Sequence, residues 1–256
     1  MGTSSSYAGR KDKNNLLPDD YNNNDNNQEV PRIASWQSLK MEMSKYINGN
    51  GGSIRRIGGK YIKASGGSSA LIATSTNGIR ATTNIGNFFS EIKQEGVINT
   101  FRKFEIEYIG KDVNEILSSL VNFIAEGSDT KDEGIAREAA TYALSQVYDF
   151  IEKGGMTIDI LDSMPDELMN EVLCSYVENY IWGKMLNELE YNLEKYSDDP
   201  KESVKIEKEI KTYIENVVNI EFENSELKST YLATDSISQS VEILYEKCYE
   251  VMEMIE

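Results

Sequence analysis

The sequence predicts an all-α protein, a multi-helix bundle with a disordered N-terminal tail. Apolar residues recur every three to four positions along most of the second half of the chain, which is the spacing of a buried helical face. Pro165 and Pro200 each come shortly after a residue that can cap a helix, and proline is favoured just inside a helix start. Residues 1–30 are instead rich in serine, asparagine and aspartate, with too little apolar surface to offset the entropy lost on ordering.

Charge divides the chain into two parts. Residues 1–110 contain 14 Lys+Arg and 10 Asp+Glu. The whole chain contains 26 Lys+Arg and 43 Asp+Glu, so residues 111–256 contain 12 Lys+Arg and 33 Asp+Glu. We therefore predict a tail at residues 1–30 and a helical body at residues 31–256, with a basic, glycine-rich part at 31–110 and an acidic part at 111–256. The acidic part disfavours non-specific binding to nucleic acid and to anionic lipid.

The first helix of the body is predicted to begin near Pro31, with Ser35 as its N-cap, and to end at the glycines of residues 49–52. Residues 53–95 combine short apolar stretches with paired and single glycines. Glycine at this density predicts short helices whose backbones approach one another closely. A candidate basic surface for a protein partner or nucleic acid lies in the same segment: Arg55, Arg56, Lys60 and Lys63.

A glycine-rich basic segment is also compatible with phosphate binding. However, the sequence contains no Gly-x-x-x-x-Gly-Lys-Ser/Thr pattern, and no predicted strand precedes the glycines. Tyr61 is the one aromatic residue among these charges, whereas proteins that bind single strands place several aromatic residues there. Packing glycines with a solvated basic face are the favoured interpretation.

The acidic part is predicted to contain helices that begin at Asp112, near residue 130, at Pro165, at Pro200 and near residue 233. Their apolar stripes are typical of a core rather than of a cofactor site. Both cysteines lie within such stripes, so we expect reduced core thiols rather than a disulfide. The residues expected in the core include Tyr142, Cys174, Val204 and Cys248.

The residue types present exclude several classes of enzyme. The chain has no histidine, which removes Ser-His-Asp and Cys-His nucleophile pairs as well as His-ligated metal sites. Glu207, Glu209 and Glu215 lie among lysines at predicted solvated positions, and although two of them could pair as metal or acid/base groups, nothing in the sequence forces a pair inward. We predict a non-enzymatic protein with no catalytic residue, no metal site and no bound cofactor. No apolar run reaches 18 residues and no signal peptide is present, so a cytoplasmic protein without membrane association is expected.

The N-terminal residues present a glycine amine. Because Gly2 is small, removal of Met1 is expected to leave an α-amine with a pKa of about 8, well below that of a lysine, so a modifying enzyme can select it. Ser6 also completes a Met-Gly-x-x-x-Ser pattern for N-myristoylation, and a frayed terminus is the third interpretation. The candidate modification site is Gly2, and the candidate contacts for the modifying enzyme are Thr3, Ser4, Ser5, Ser6 and Tyr7.

Three apolar residues stand out in the polar tail, namely Leu16, Leu17 and Tyr21. Apolar residues in such a tail often bind a partner, which makes these three a candidate docking anchor. An incidental placement explains them equally well.

Four stretches together carry a resemblance to a known family. They are residues 1–6, the predicted helix from Trp36 to Gly52, the elements Arg55-Arg56 and Gly66-Gly67, and the run Asp132-Glu133-Gly134-Ile135-Ala136-Arg137-Glu138-Ala139. In these features the chain resembles the QatB family of Qat anti-phage defence systems.

The resemblance implies a bacterial defence operon that also encodes an ATPase (QatA), a QueC-like enzyme (QatC) and a TatD-like nuclease (QatD). It further implies that the QueC-like partner joins a 7-deazaguanine group, as a 7-amido-7-deazaguanine, to the N-terminal glycine, here Gly2. The tail differs from a glycine- and proline-rich one, because Ala8 precedes Gly9 and Asn/Asp runs follow. The competing hypotheses are a nucleic-acid-binding adaptor that uses the basic segment and a scaffold for the ATPase.

Overall fold

The computed structural model describes residues 26–126, 131–196, 200–229 and 236–254. These ranges fold into helices without a strand, so the all-α prediction is confirmed. The α-helices are α1 (Asn26–Ile47), α2 (Ile54–Ala64), α3 (Ser68–Ala73), α4 (Thr76–Glu95), α5 (Val97–Lys103), α6 (Val113–Ile124), α7 (Lys131–Lys153), α8 (Asp166–Tyr196), α9 (Pro200–Glu223) and α10 (Ile237–Glu253). Short 3₁₀ helices occupy Ile158–Ser163 and Glu226–Ser229.

The long helices α7, α8 and α9 pack side by side, with α8 between the other two. Helices α1 and α2 form a hairpin that contacts α8 and α9, and α10 packs against α2, α3, α4 and α9. Helix α4 contacts α5, α6, α7, α8 and α10 and is therefore central. Its buried face joins the others in one hydrophobic core.

Local sequence signals place several helix starts correctly. Asp112 accepts a hydrogen bond of 3.0 Å from the Glu115 amide, and the Glu115 carboxylate accepts one of 2.9 Å from the Asp112 amide. This reciprocal capping box confirms the predicted start of α6. Helix α8 follows Pro165 directly and α9 begins at Pro200, as the proline positions predicted.

The N-terminal boundary differs from the prediction. Helix α1 begins at Asn26, so Ser35 lies inside the helix and its assignment as an N-cap was wrong. A proline interrupts one backbone hydrogen bond, yet α1 continues on both sides of Pro31, which the sequence pattern had suggested as a boundary. Of the predicted tail, residues 26–30 belong to α1, and residues 1–25 lie outside the described part of the chain.

Burial confirms most of the predicted core. Cys174 and Cys248 are both buried and free, as expected for core thiols. Tyr142 and Val204 were wrongly expected in the core, because they are 49% and 63% exposed. Both sit at the margin of a stripe, and the ammonium of Lys211 lies 5.0 Å from the centre of the Tyr142 ring.

The glycines of the basic part allow the close packing that was predicted. A Cβ at Gly78 would overlap the ring of Tyr180, and one at Gly86 would lie 2.9 Å from Cγ2 of Ile237. Any larger residue at either position would therefore push α4 away from α8 or from α10. The prediction of close backbone approach is confirmed at these positions.

Candidate functional site

The candidate modification residues lie outside the described part of the chain. They are Gly2, Thr3, Ser4, Ser5, Ser6 and Tyr7, together with the candidate anchor residues Leu16, Leu17 and Tyr21. Their roles remain predictions.

The four residues of the candidate basic surface all lie on α2 but face different surroundings. Arg55 and Lys63 are exposed. The Nε of Arg56 lies 2.8 Å from Oε1 of Glu42, and the Nζ of Lys60 lies 3.0 Å from Oε2 of the same carboxylate. Half of the candidate surface therefore binds a glutamate of α1.

Glu42 is 3% exposed and joins α1 to the start of α2. Its Oε1 also accepts a hydrogen bond of 3.2 Å from the amide of Ser53, the N-cap of α2. Burial by itself raises the pKa of Glu42, but the hydrogen bonds from Lys60 and Ser53 and the nearby positive charges more than offset it, so the pKa is lowered. The carboxylate is thus held ionised as a structural link.

A cleft of about 440 Å³ opens between α1, α2, α3, α7 and α8. We call it the Trp36 cleft, after the residue that α1 contributes to it. Its walls combine aliphatic, aromatic and charged side chains, which is the composition of a binding site for a mixed apolar and polar group. The lining residues are Trp36, Tyr61, Ala64, Ser65, Leu71, Thr74, Lys131, Asp132, Ile135, Lys184, Asn187 and Glu188.

Lys184 forms the polar side of the Trp36 cleft. Its Nζ donates to the carbonyl of Thr74 at 2.6 Å, lies 3.3 Å from Oγ of Ser75 and lies 3.5 Å from Oδ1 of Asp132. Burial lowers the pKa of Lys184, while the Asp132 carboxylate acts in the opposite direction. With these oxygens around it, the ammonium ties the end of α3 to α7 and α8.

Four tyrosines pack against one another next to this wall. Tyr176 and Tyr180 lie one turn apart on α8, and Tyr245 and Tyr249 lie one turn apart on α10, so each pair shares a helix face. The hydroxyl of Tyr245 lies 3.0 Å from Oγ1 of Thr82. Burial raises the pKa of each of these tyrosines, so they remain protonated phenols whose role is hydrogen bonding.

The run from Asp132 to Ala139 that contributed to the resemblance is divided between two surfaces. Asp132 faces the Trp36 cleft. Glu133 and Arg137 face a second, polar cleft of about 700 Å³, where Nη2 of Arg137 lies 3.1 Å from Oε1 of Glu133. Arg137 also donates to Oδ1 of Asn122 on α6. One turn of α7 therefore connects both clefts.

Sequence reasoning did not identify the Trp36 cleft. Lys184 lies within an apolar stretch of α8, directly after Gly183, whose missing Cβ leaves room for Ile135 of α7. A lysine beside a glycine within a buried apolar stripe was the feature of the sequence that could have indicated this cleft. Its partners Thr74 and Asp132 are 110 and 52 positions away in sequence, and nothing local indicates that they meet.

Two kinds of feature are absent from the described ranges. No group of three or more cysteine, aspartate or glutamate side chains is placed there to hold a metal ion. Within the same ranges, no helix is both long and apolar enough to cross a lipid bilayer.

The fold and its clefts define an all-α bundle protein whose helices are joined by a buried tyrosine network. A family model described as Qat anti-phage system associated protein QatB matches residues 66–252. The chain belongs to the QatB family and is a component of the Qat anti-phage system. The match extends from α3 to α10 and includes Asp132 and Lys184, whereas α1 and α2 precede it. No curated protein and no solved structure matches the chain.

Proposed function

We propose that this QatB-family chain is a non-enzymatic acceptor protein of the Qat system. In this proposal a QueC-like partner joins a 7-deazaguanine group through an amide bond to the α-amine of Gly2, after removal of Met1. The observation that carries the proposal is family membership together with a sequence that begins Met1-Gly2-Thr3-Ser4-Ser5-Ser6.

The reaction requires an uncharged amine. The α-amine of Gly2 attacks an activated carbonyl of the deazaguanine group, the carbon–nitrogen bond forms, and the nitrogen gives up a proton as the activating group leaves. With an ordinary pKa of about 8, a useful fraction of an α-amine is neutral at pH 7. Gly2 has no side chain to crowd the attack.

A lysine is the alternative acceptor that must be considered. Lys184 is the described lysine whose pKa is lowered, because it is buried. Its Nζ is engaged by Thr74, Ser75 and Asp132, and its side chain is 13% exposed. It is therefore poorly placed to enter the active site of a partner, which supports the choice of Gly2.

The start of α1 determines how far Gly2 can extend from the body. Between Gly2 and Asn26 the chain has a contour of roughly 80 Å when fully extended, at about 3.3 Å per residue. The glycine can therefore enter a partner's active site while the helical bundle stays outside it.

The proposal is tested by intact-protein mass spectrometry after co-expression with the QueC-like enzyme. The wild-type chain is expected to carry the mass of the deazaguanine adduct on the Met1-cleaved form. Gly2→Ala should slow the conjugation, since it adds a Cβ beside the nitrogen. Gly2→Glu should retain Met1 and abolish it.

The matched control is Gly9→Glu, which introduces the same charge seven positions further along and should leave the adduct unchanged. The proposal is wrong if protein from a strain with active defence shows the unmodified Met1-cleaved mass and Gly2→Glu still protects cells. An adduct that persists in Gly2→Glu would assign the reaction to another amine.

The competing function, an adaptor that binds nucleic acid or the ATPase through the basic segment, receives less support. Arg56 and Lys60 are half-buried and bind the buried Glu42, whereas Arg55 and Lys63 are the fully exposed residues of that surface. Binding through phosphate contacts weakens steeply with salt, whereas amide formation on Gly2 does not depend on such contacts.

A further inference from the structure

We propose that the Trp36 cleft is the docking site for residues 16–21 of the same chain, Leu16-Leu17-Pro18-Asp19-Asp20-Tyr21. The inference goes beyond the proposed function and does not depend on conjugation at Gly2. It rests on the lining of the cleft, on the position of α1 and on the order of side chains in the segment.

The floor of the cleft suits a short apolar segment. Leu71 is 4% exposed, and Ile135 and Trp36 are half-buried against the core. Trp36 packs edge-on against Tyr61, with 6.5 Å between ring centres. Leu16 and Leu17 form the one adjacent pair of aliphatic residues in residues 1–25, so they are the part of that stretch best able to cover this floor.

The rim of the cleft carries both signs of charge, and so does the segment with its flanking residues. Lys131 is exposed at the rim and offers a cation to Asp19 and Asp20. Glu188 is exposed in the same lining and offers an anion to Lys13, which precedes the leucines. A cleft that carries both signs of charge is complementary to a segment with a cation before its apolar pair and two anions after it.

The position of α1 brings the segment within reach. Trp36 lies ten residues into α1, which is about 15 Å along the helix from Asn26 at 1.5 Å per residue. Tyr21 is five residues before Asn26, and five extended residues span about 16 to 18 Å. The chain can therefore fold back along α1 and place residues 16–21 at the cleft.

Two features reduce the entropic cost of this contact. Pro18 restricts its own backbone and favours an extended Leu17. The segment is tethered to the body, so its effective concentration at the cleft is in the millimolar range and a contact that is weak between separate molecules suffices. When docked, the segment leaves fourteen residues from Gly2 to Asn15, which shortens the reach of Gly2 from roughly 80 Å to roughly 46 Å, at about 3.3 Å per residue in both cases.

The experiment uses the full-length chain with a nitroxide label on Asn15→Cys. Cys174 is 8% exposed and Cys248 is fully buried, so the introduced thiol is labelled selectively. Labelling of the chain without Asn15→Cys provides the check on this selectivity. Amide signals of Ser65, Ile135 and Asn187 around the cleft are then compared with and without the unpaired electron.

Docking predicts an intensity loss of about twofold or more at these cleft amides, as expected for a tethered contact that is at least half populated. Leu16→Ser combined with Leu17→Ser should restore the intensities. Asn23→Ser combined with Asn24→Ser, the matched control, should leave the loss unchanged. Full intensity at the cleft in the labelled chain, or a loss that persists without the two leucines, would overturn the proposal. A stronger loss at Leu117 and Val121 of the α6–α7 groove would overturn it as well, by assigning the segment to another surface.

Discussion

The hydroxyl of Tyr180 donates a hydrogen bond of 2.6 Å to Oδ1 of Asp132, which joins α8 to the first turn of α7. The negative charge of Asp132 is favourable at that helix end, where backbone amides point outward. The same tyrosine ring lies against Gly78, so one side chain connects α4, α7 and α8. The Trp36 cleft is built on this junction, because Asp132 and Lys184 both line it.

The Tyr180 hydrogen bond should contribute measurably to stability. Tyr180→Phe keeps the ring but removes the donor to Asp132, and the free energy of unfolding is expected to fall by about 1 to 2 kcal/mol. Urea denaturation measures the change. Tyr142→Phe, at a ring that is 49% exposed, is the control and should change the value by less than about 0.5 kcal/mol. Equal losses in the two variants would contradict a special role for this bond.

Gly78 is expected to tolerate no side chain. In Gly78→Ala the new Cβ would overlap the Tyr180 ring, so α4 and α8 must separate. The free energy of unfolding, measured by denaturant titration, is therefore expected to fall by about 1 to 3 kcal/mol. Gly134→Ala in α7 is the matched control, because no atom lies within 4 Å of the position that its Cβ would occupy. That variant should gain about 0.5 to 1 kcal/mol from helix propensity. An unchanged free energy of unfolding in Gly78→Ala would show that α4 and α8 can adjust to the added Cβ.

Glu178 should make the protein less stable as the pH rises. Burial, together with the charge of Glu215, raises the pKa of Glu178 from 4.5 to about 7, although Asn219 donates a hydrogen bond of 2.9 Å to its Oε1. Between these two pH values the folded chain holds more protons than the unfolded chain, so stability falls with rising pH through this window. Below about pH 4.5 the carboxyl is protonated in both states and the effect disappears.

Glu178→Gln keeps an oxygen for Asn219 and removes the charge. The variant is expected to be more stable than the wild type by on the order of 1 kcal/mol at pH 8, with a difference that shrinks towards pH 4.5. Glu171→Gln on the exposed side of α8 serves as the control. A gain for Glu178→Gln that is the same at pH 8 and at pH 5 would rule out titration of this group as its cause.

Reversing the charge of two different pairs of residues on α2 should distinguish charges that stabilise the fold from charges that bind a partner. Arg56→Glu combined with Lys60→Glu would place three carboxylates together, Glu42 among them, and a loss of about 2 kcal/mol or more is expected in thermal or urea unfolding. Arg55→Glu combined with Lys63→Glu alters exposed side chains and should leave stability nearly unchanged.

The second pair is therefore the correct probe of partner or nucleic-acid binding. If the adaptor hypothesis holds, Arg55→Glu with Lys63→Glu lowers the affinity and reduces its salt dependence while the fold is retained. Unchanged defence in this folded variant would show that the charges of Arg55 and Lys63 contribute to solubility rather than to binding a partner.

Local signals in the sequence were sufficient to predict that the chain is helical and to place the starts of α6, α8 and α9. The capping box of Asp112 and Glu115 and the prolines at positions 165 and 200 act within one helical turn, so the pattern alone places those starts. The start of α1 was predicted too late, because Pro31 is tolerated within a helix that continues on both sides of it. The glycines of the basic part indicated close packing, although not against which partner.

Tertiary structure decided which of these residues meet. Lys184 binds Thr74 from 110 positions away, and Asp132 accepts a hydrogen bond from Tyr180 48 positions later. Such contacts depend on how α3, α7 and α8 pack, and no spacing within a single helix encodes that arrangement. The sequence by itself determined an all-α chain of the QatB family with a glycine near its start. The packing of its helices alone brought Lys184, Asp132 and Trp36 together around one cleft, and it turned Arg56 and Lys60 from a predicted surface towards Glu42.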